Sequence, residues 1–248
     1  MVAAVAGRCR PFLCDRPAGS RADHAGGAVL RRYHYRLGNT CVSEPREDPQ
    51  ELSRRDVVIA GHVGNENAAR TAKNDDDPRV RASALGALDR MGALADGELR
   101  DALNDPSPKV RIRAAALTVG HPKVSPASVL DDSSDDVVET AAWACGERGA
   151  GDLDTGDLDT VSRLAELAIG HPNPLVREAA VAALGAIGHP EGLDAILTAT
   201  TDKVAVRRRA VLALAPFDGP EVEAALDRAL QDRDWQTRDA AELLTNPD

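Results

Sequence analysis

Aromatic residues are almost absent from this chain. Two Trp, two Tyr and two Phe occur among 248 residues, so alanine and leucine must fill most of the core. Long apolar runs are absent as well, since no stretch approaches the ~18 residues that a membrane-spanning helix needs. We therefore expect a protein that does not cross a membrane.

Basic residues and cysteines are also few. Thirty Lys and Arg stand against forty Asp and Glu, which gives a formal net charge of −10. Nucleic-acid binding usually rests on clustered cations that neutralise phosphates, so this balance argues against a nucleic-acid partner. The four cysteines support neither a disulfide framework nor a Cys-x-x-Cys redox motif. We expect a cytoplasmic protein.

What the chain does contain is a repeated unit, clearest at residues 172–188 as PNPLVREAAVAALGAIG. A period near 30 residues indicates a solenoid, because each unit buries its apolar face only by stacking on its neighbours. Six copies align on one anchor position with spacings of 30, 27, 39, 30 and 31; the anchors are Val80, Val110, Val137, Val176, Val206 and Thr237.

Each copy predicts a helix that starts before the anchor and carries a small residue after it. Three residues before the anchor, five of the six residues are types that cap helix starts well: Asp77, Ser107, Ser134, Asn173, Lys203 and Asp234. Four residues after the anchor an alanine recurs in every copy, which predicts close helix contact: Ala84, Ala114, Ala141, Ala180, Ala210 and Ala241. Glycines predict the helix ends: Gly92, Gly120, Gly149, Gly188 and Gly219.

Shorter apolar segments lie between these helices and have leucines at helical spacing. They predict a helix–turn–helix unit, with the shorter helices at 97–104, 160–169, 192–200 and 221–230. Residues 54–62 and 66–73 predict the helices of a partial unit before the first full copy.

The pattern D-x-x-P-x-V-R-x-x-A, followed by Ala and Leu and a closing Gly, resembles the short HEAT-like repeats typified by the phycobilin-lyase family. The resemblance covers about residues 65–246. It implies an all-α fold, a right-handed α-solenoid of about six helix–turn–helix repeats. It also implies an Asp–Arg ladder between repeats, formed here by Arg81, Arg111, Arg177, Arg207 and Arg238 with Asp75, Asp105, Asp132 and Asp232, and interrupted at Val138.

Composition changes near residue 49. Residues 1–49 carry eight Arg against five Asp and Glu and show no helical period. We expect residues 1–49 to be a disordered or non-native N-terminal extension, and residues 50–248 to form the HEAT-like repeat solenoid.

No motif for catalysis or metal binding stands out from these repeats. Gly-His-Pro at three helix ends predicts turns, with the histidines too far apart to share a metal: His121, His171 and His189. A loose zinc-ligand spacing occurs only near the N-terminus, at Cys9, Cys14, His24, His34 and Cys41. The acidic run at 152–160 lacks the Gly and Glu of an EF-hand loop. The sequence therefore favours a non-catalytic protein without a cofactor, although it leaves enzymatic activity open.

Trp143 is the sharpest candidate for a binding residue. It lies six residues after its anchor and should point away from the buried stripe. In HEAT-like solenoids the helices that carry these anchors line the concave side, so the resemblance implies a shallow groove of small residues. Trp143 either anchors a partner there or packs beneath the insertion at 151–160. The candidate groove residues are Trp143, Ile112, Glu139, Glu178, Arg208 and Leu212.

The leading functional hypothesis is a protein–protein interaction scaffold or adaptor that uses this concave groove. The family resemblance also implies an alternative, a subunit of a bilin-lyase-like or other modifying enzyme that holds its substrate. A third hypothesis, DNA-lesion binding as in the HEAT-like alkylpurine glycosylases, expects a basic face, and the net charge disfavours it. Another protein, of unknown identity, is therefore the expected partner.

Overall fold

The computed structural model describes residues 52–149 and 158–245, and these residues form an all-α solenoid without strands. The predictions for residues 1–49 and for the first seven residues, 151–157, of the insertion at 151–160 lie outside the described residues. The helices of the described residues are α1 Arg54–Val63, α2 Glu66–Ala72, α3 Pro78–Arg90, α4 Asp96–Ala102, α5 Pro108–Leu117, α6 Asp135–Arg148, α7 Leu158–Gly170, α8 Pro174–Ile187, α9 Leu193–Ala199, α10 Val204–Ala213, α11 Pro220–Ala229 and α12 Trp235–Thr245.

The helices form two layers. One layer, called here the long-helix layer, consists of α1, α3, α5, α6, α8, α10 and α12, each of which packs on the next. The helices α2, α4, α7, α9 and α11 pack on its other side. Between α5 and α6, a short 3₁₀ turn at Pro126–Val129 stands where the other units have a helix. The long-helix layer contains all six repeat anchors.

The predicted helix starts are present, but their capping differs from copy to copy. The side chains of Asp77 and Asn173 accept hydrogen bonds from the backbone amides of Arg79 and Leu175, at 2.8 and 2.9 Å. Ser107 and Ser134 begin α5 and α6 without a side-chain cap. Instead, an aspartate two residues upstream accepts from the amide of each serine, at 2.8 Å: Asp105 and Asp132.

The predicted helix ends are correct at three of the five glycines. Gly92, Gly149 and Gly188 have positive φ angles of 67, 64 and 67°, which glycine adopts without steric cost. The prediction is wrong for Gly120, because α5 tightens into a 3₁₀ turn at Thr118–Gly120 that needs no left-handed residue. It is also wrong for Gly219, which precedes α11.

The alanines four residues after each anchor are fully buried in all six copies, as predicted. Glycines on the same layer bring the backbones still closer. A Cβ added at Gly146 would lie 2.9 Å from the Cα of Ala183, and one at Gly185 would lie 2.6 Å from the Cα of Ala213. The long helices therefore stack at distances that only small residues permit. Cys145 is buried within this core, as expected for its position in the stripe.

The Arg–Asp ladder connects successive units. Four of the five ladder arginines donate hydrogen bonds to a carboxylate of the next unit, in the pairs Arg81–Asp105, Arg111–Asp132, Arg177–Asp202 and Arg207–Asp232. Arg177 donates to both carboxylate oxygens of Asp202, at 2.6 and 2.8 Å, and to the carbonyl oxygen of His171 at 2.8 Å. Asp202 is the ladder aspartate of its copy, and the alignment of the repeats does not predict it.

These hydrogen bonds change the ionisation of the ladder carboxylates. The arginine hydrogen bonds hold the pKa of Asp132, Asp202 and Asp232 below the ordinary aspartate value. A lowered folded-state pKa contributes stability above the ordinary pKa, and this stability is lost as pH falls through the lowered value. The ladder is therefore intact at neutral pH and weakens only in acid.

The ladder is interrupted at both partners of one step. Val138 is buried where the other copies have arginine. His171 stands where an aspartate would accept the hydrogen bonds of that arginine. Its Nδ1 atom accepts a hydrogen bond from the backbone amide of Asn173 at 3.2 Å. The histidine thus keeps the capping role of the aspartate, but the charge pair is gone.

Overpacking the buried stripe tests the stacking of the long helices. Ala180→Leu should lower the free energy of unfolding by roughly 1–3 kcal/mol, because the added atoms force α8 away from its neighbours. Ala186→Leu on the same helix, at an exposed position, should change it by less than about 0.5 kcal/mol. Equilibrium urea unfolding measures both, and equal losses would contradict the assignment of faces.

Removing one ladder arginine tests the charge pair. Arg177→Met should cost about 2–3 kcal/mol of unfolding free energy, since Asp202 would remain half-buried without its partner. Arg238 offers a matched control, because it donates to the carbonyl oxygen of Asp232 but forms no salt bridge with a described carboxylate. Arg238→Met should cost about 1 kcal/mol. Similar costs for both variants, again from urea unfolding, would show that the carboxylate adds nothing.

Candidate functional site

A pocket of about 440 Å³ opens on the outward face of the long-helix layer. We call it the Trp143 pocket. It lies between α6 and α8 with one residue from α10, and it is lined by Glu139, Thr140, Trp143, Gly146, Glu147, Leu175, Glu178, Ala179, Ala182, Ala183, Ala186 and Arg209.

The helical period places Trp143 on the outward face. Val137 and Ala141 of the same helix are fully buried, and at about 100° per residue Trp143 points to the opposite side. Its side chain is 46% exposed, and Leu175 across the pocket is 52% exposed. The small residues of α8 leave room around the indole. The pocket therefore presents two large apolar side chains above a floor of alanine and glycine.

Negative charge dominates the pocket. Glu139, Glu147 and Glu178 line it together with one cation, Arg209, whose Nη2 atom lies 3.7 Å from Glu178 Oε1. Burial raises the pKa of Glu139 above the ordinary glutamate value, and the negative charges of Asp136 and Glu178 raise it further. A positive group entering the pocket would relieve this repulsion.

The structure brings together three of the six predicted groove residues, Trp143, Glu139 and Glu178. The other three do not line the pocket. Ile112 is half-buried and packs against the core. Arg208 Nη2 lies 3.5 Å from Asp234 Oδ2, and Leu212 is exposed on α10 without contributing to the lining.

The sequence analysis missed Leu175, Glu147 and Arg209. Leu175 lies one residue before its anchor, Glu147 ten residues after its anchor and Arg209 three residues after its anchor. The predicted face used the positions two, six and nine residues after the anchor. At about 100° per residue, the outward face that lines the pocket is centred roughly 60° further round the helix. We define the outward positions as the position one residue before each anchor and the positions three, six and ten residues after it.

The histidine and metal-ligand candidates of the sequence do not form a site in the described residues. His121 contacts two carboxylates, with Nε2 3.1 Å from Asp89 Oδ1 and Nδ1 3.2 Å from Asp96 Oδ1, and so joins α3 to the start of α4. Within residues 52–149 and 158–245, no group of three or more His, Cys, Asp or Glu could hold a metal ion. The candidate zinc ligands Cys9, Cys14, His24, His34 and Cys41 lie outside these ranges.

Comparisons with known proteins agree with this architecture. The sequence matches the family of HEAT repeats over residues 127–205. The structure is similar to a designed armadillo repeat protein in complex with the peptide (KR)4, with a TM-score of 0.56, 16% sequence identity, and coverage of 73% of this chain and 97% of the designed one. No curated protein matches the sequence. The chain is a HEAT-like repeat protein. None of its described helices has the length and apolar character that crossing a membrane requires.

The exposure of Trp143 predicts how the protein responds to its removal. Trp143→Ala should lower the free energy of unfolding by about 1 kcal/mol or less. By contrast, Leu184→Ala removes a buried side chain of α8 and should lower it by about 2–5 kcal/mol. In a Trp235→Phe background, the Trp143 emission should be quenched readily by acrylamide. A protected indole with a large stability loss would instead place Trp143 beneath the 151–160 insertion.

Proposed function

We propose that this chain is a non-catalytic scaffold or adaptor that binds a segment of another protein on the outward face of its long-helix layer. The Trp143 pocket is the observation that carries this proposal. Large aromatic side chains surrounded by smaller residues commonly supply most of the binding energy of a protein interface. Trp143 has that setting, since alanine and glycine surround it and nearly half of its surface is open.

The charge of the pocket favours a basic partner segment. Three carboxylates face the indole against one guanidinium, and a lysine or arginine side chain can place its charge over the indole face as well. Burial raises the pKa of Glu139, and repulsion from Asp136 and Glu178 raises it further; this repulsion would fall when such a cation enters. The designed repeat protein of similar fold holds a peptide of alternating lysine and arginine, which supports the same chemistry on this chain.

The peptide (KR)4 is therefore the first probe. Fluorescence anisotropy of labelled (KR)4 with the full chain at low salt should show saturable binding. Trp143→Ala, and separately the double variant Glu139→Gln/Glu178→Gln, should each weaken it at least about tenfold, since loss of an interface anchor costs more than 1–2 kcal/mol.

A matched variant separates local recognition from attraction to an acidic protein. Glu221→Gln/Glu223→Gln removes two exposed carboxylates of α11 and should leave the affinity within about twofold. Equal weakening by both double variants, or no saturable binding to the unmodified chain, would refute a basic segment in the Trp143 pocket.

A further inference from the structure

The outward positions change their charge along the long-helix layer. On α6 they include Asp136 and Glu147 beside Trp143, but on α3 and α5 they hold cations. A second cavity, of about 460 Å³, opens there between α1, α3 and α5. We call it the basic cleft. Its five charged lining residues are all positive: Arg54, Arg79, Arg90, Lys109 and Arg113.

These cations differ from four of the ladder arginines in having no counter-charge among the described residues. Arg81, Arg111, Arg177 and Arg207 each pair with a carboxylate. By contrast, none of the five side chains in the basic cleft forms an ion pair or hydrogen bond with any residue in the described ranges. Acidic residues outnumber basic ones in this chain by forty to thirty, so an unneutralised group of five cations is not a consequence of composition.

Helix stability does not explain where the cations stand either. Arg79 and Lys109 lie in the first turns of α3 and α5, which contain no acidic residue. The helix dipole disfavours positive charge at that end. The next long helix, α6, shows the favourable arrangement, with Asp135 and Asp136 in its first turn. The positive groups on α3 and α5 therefore gain most when an anion lies beside them.

One glycine holds a guanidinium in the cleft. A Cβ added at Gly86 would lie 2.1 Å from Nη2 and 2.9 Å from Cζ of Arg113. At Gly146 and Gly185 the nearest atoms belong instead to an alanine of the next helix, so those glycines serve helix packing. Gly86 makes room for a charged side chain, which rests half-buried against α3.

The residues that line the basic cleft, and the charges next to it, indicate which class of anion the cleft can bind. No aromatic side chain of residues 52–149 or 158–245 lines the cleft, so these residues offer nucleic-acid bases no surface on which to stack. The acidic Trp143 pocket begins on α6, which packs directly on α5. It would repel a phosphate backbone that continued along the layer, whereas a protein segment can change its charge from residue to residue.

We infer that the basic cleft binds an acidic segment, rich in Asp and Glu, of a partner protein. The inference rests on the proposed function in taking that partner to be a protein. Neighbouring helices lie ~8–10 Å apart, so the cleft and the Trp143 pocket are roughly 20–25 Å apart. An extended segment spans that distance with about seven residues, and one partner can reach both sites.

The labelled peptide (DE)4 tests this inference with the full chain. Anisotropy at low salt should show saturable binding that Arg79→Gln/Arg113→Gln weakens at least about tenfold. Binding of (KR)4 should not weaken in the same variant. The eight arginines of residues 1–49 remain in this variant, so binding that they contribute would persist. Arg228→Gln/Arg233→Gln, which removes two exposed cations elsewhere, should leave (DE)4 affinity within about twofold.

Gly86→Ala provides a variant that displaces Arg113 without changing the net charge. It should weaken (DE)4 binding several-fold while circular dichroism and the thermal midpoint show an intact fold. Absence of saturable (DE)4 binding, or equal weakening by the two double variants, would overturn the inference while leaving the (KR)4 result to decide the proposed function. Tighter binding of a short single-stranded oligonucleotide than of (DE)4, lost in Arg79→Gln/Arg113→Gln, would also overturn it.

Discussion

Close stacking through fully buried alanines is the constraint on which this molecule depends. A single repeat cannot bury its apolar stripe alone, so each long helix must approach the next closely along its whole length. The alanines and the glycines beside them allow that approach. The Arg–Asp ladder then fixes the edge of each unit against the following one. Because the buried stripe and the ladder supply the cohesion, the outward positions are free to differ between repeats, and their differences can serve recognition.

The repeat that carries Trp143 is also the one that departs most from the pattern. Its helix α6 has Val138 in place of the ladder arginine, and the receiving aspartate is replaced by His171. Both partners of the pair have changed together, which avoids a half-buried charge without a partner. The copy therefore loses one connection to its neighbour without an electrostatic penalty. The same copy precedes the longest step between anchors, 39 residues.

Most of the fold could be predicted from the sequence, because the period, the small residues and the capping residues all repeat. The errors have local causes. Gly120 failed as a helix end since α5 closes with a 3₁₀ turn, and Asp202 was missed because it stands one residue later than the other ladder aspartates. The lining of the Trp143 pocket could be predicted only in part. Trp143, Glu139 and Glu178 followed from the helical period, but Leu175 and Arg209 required the true centre of the outward face, which depends on how α6, α8 and α10 are rotated against each other.

The net charge of −10 describes the chain as a whole and not the charges that line any one cavity. Total charge governs long-range attraction, whereas binding depends on the charges that line one cavity within a Debye length of the ligand, about 8–10 Å. Among the residues that the structure describes, five cations and no acid line the basic cleft, while three carboxylates and one guanidinium line the Trp143 pocket. A face that presents a positive cavity and then a negative one along the layer discriminates among partners more than it raises affinity. A segment with its charges in the wrong order is repelled at both cavities. For a partner that binds both sites as proposed, the order of its charged residues, rather than its total charge, is the property that this repeat protein selects.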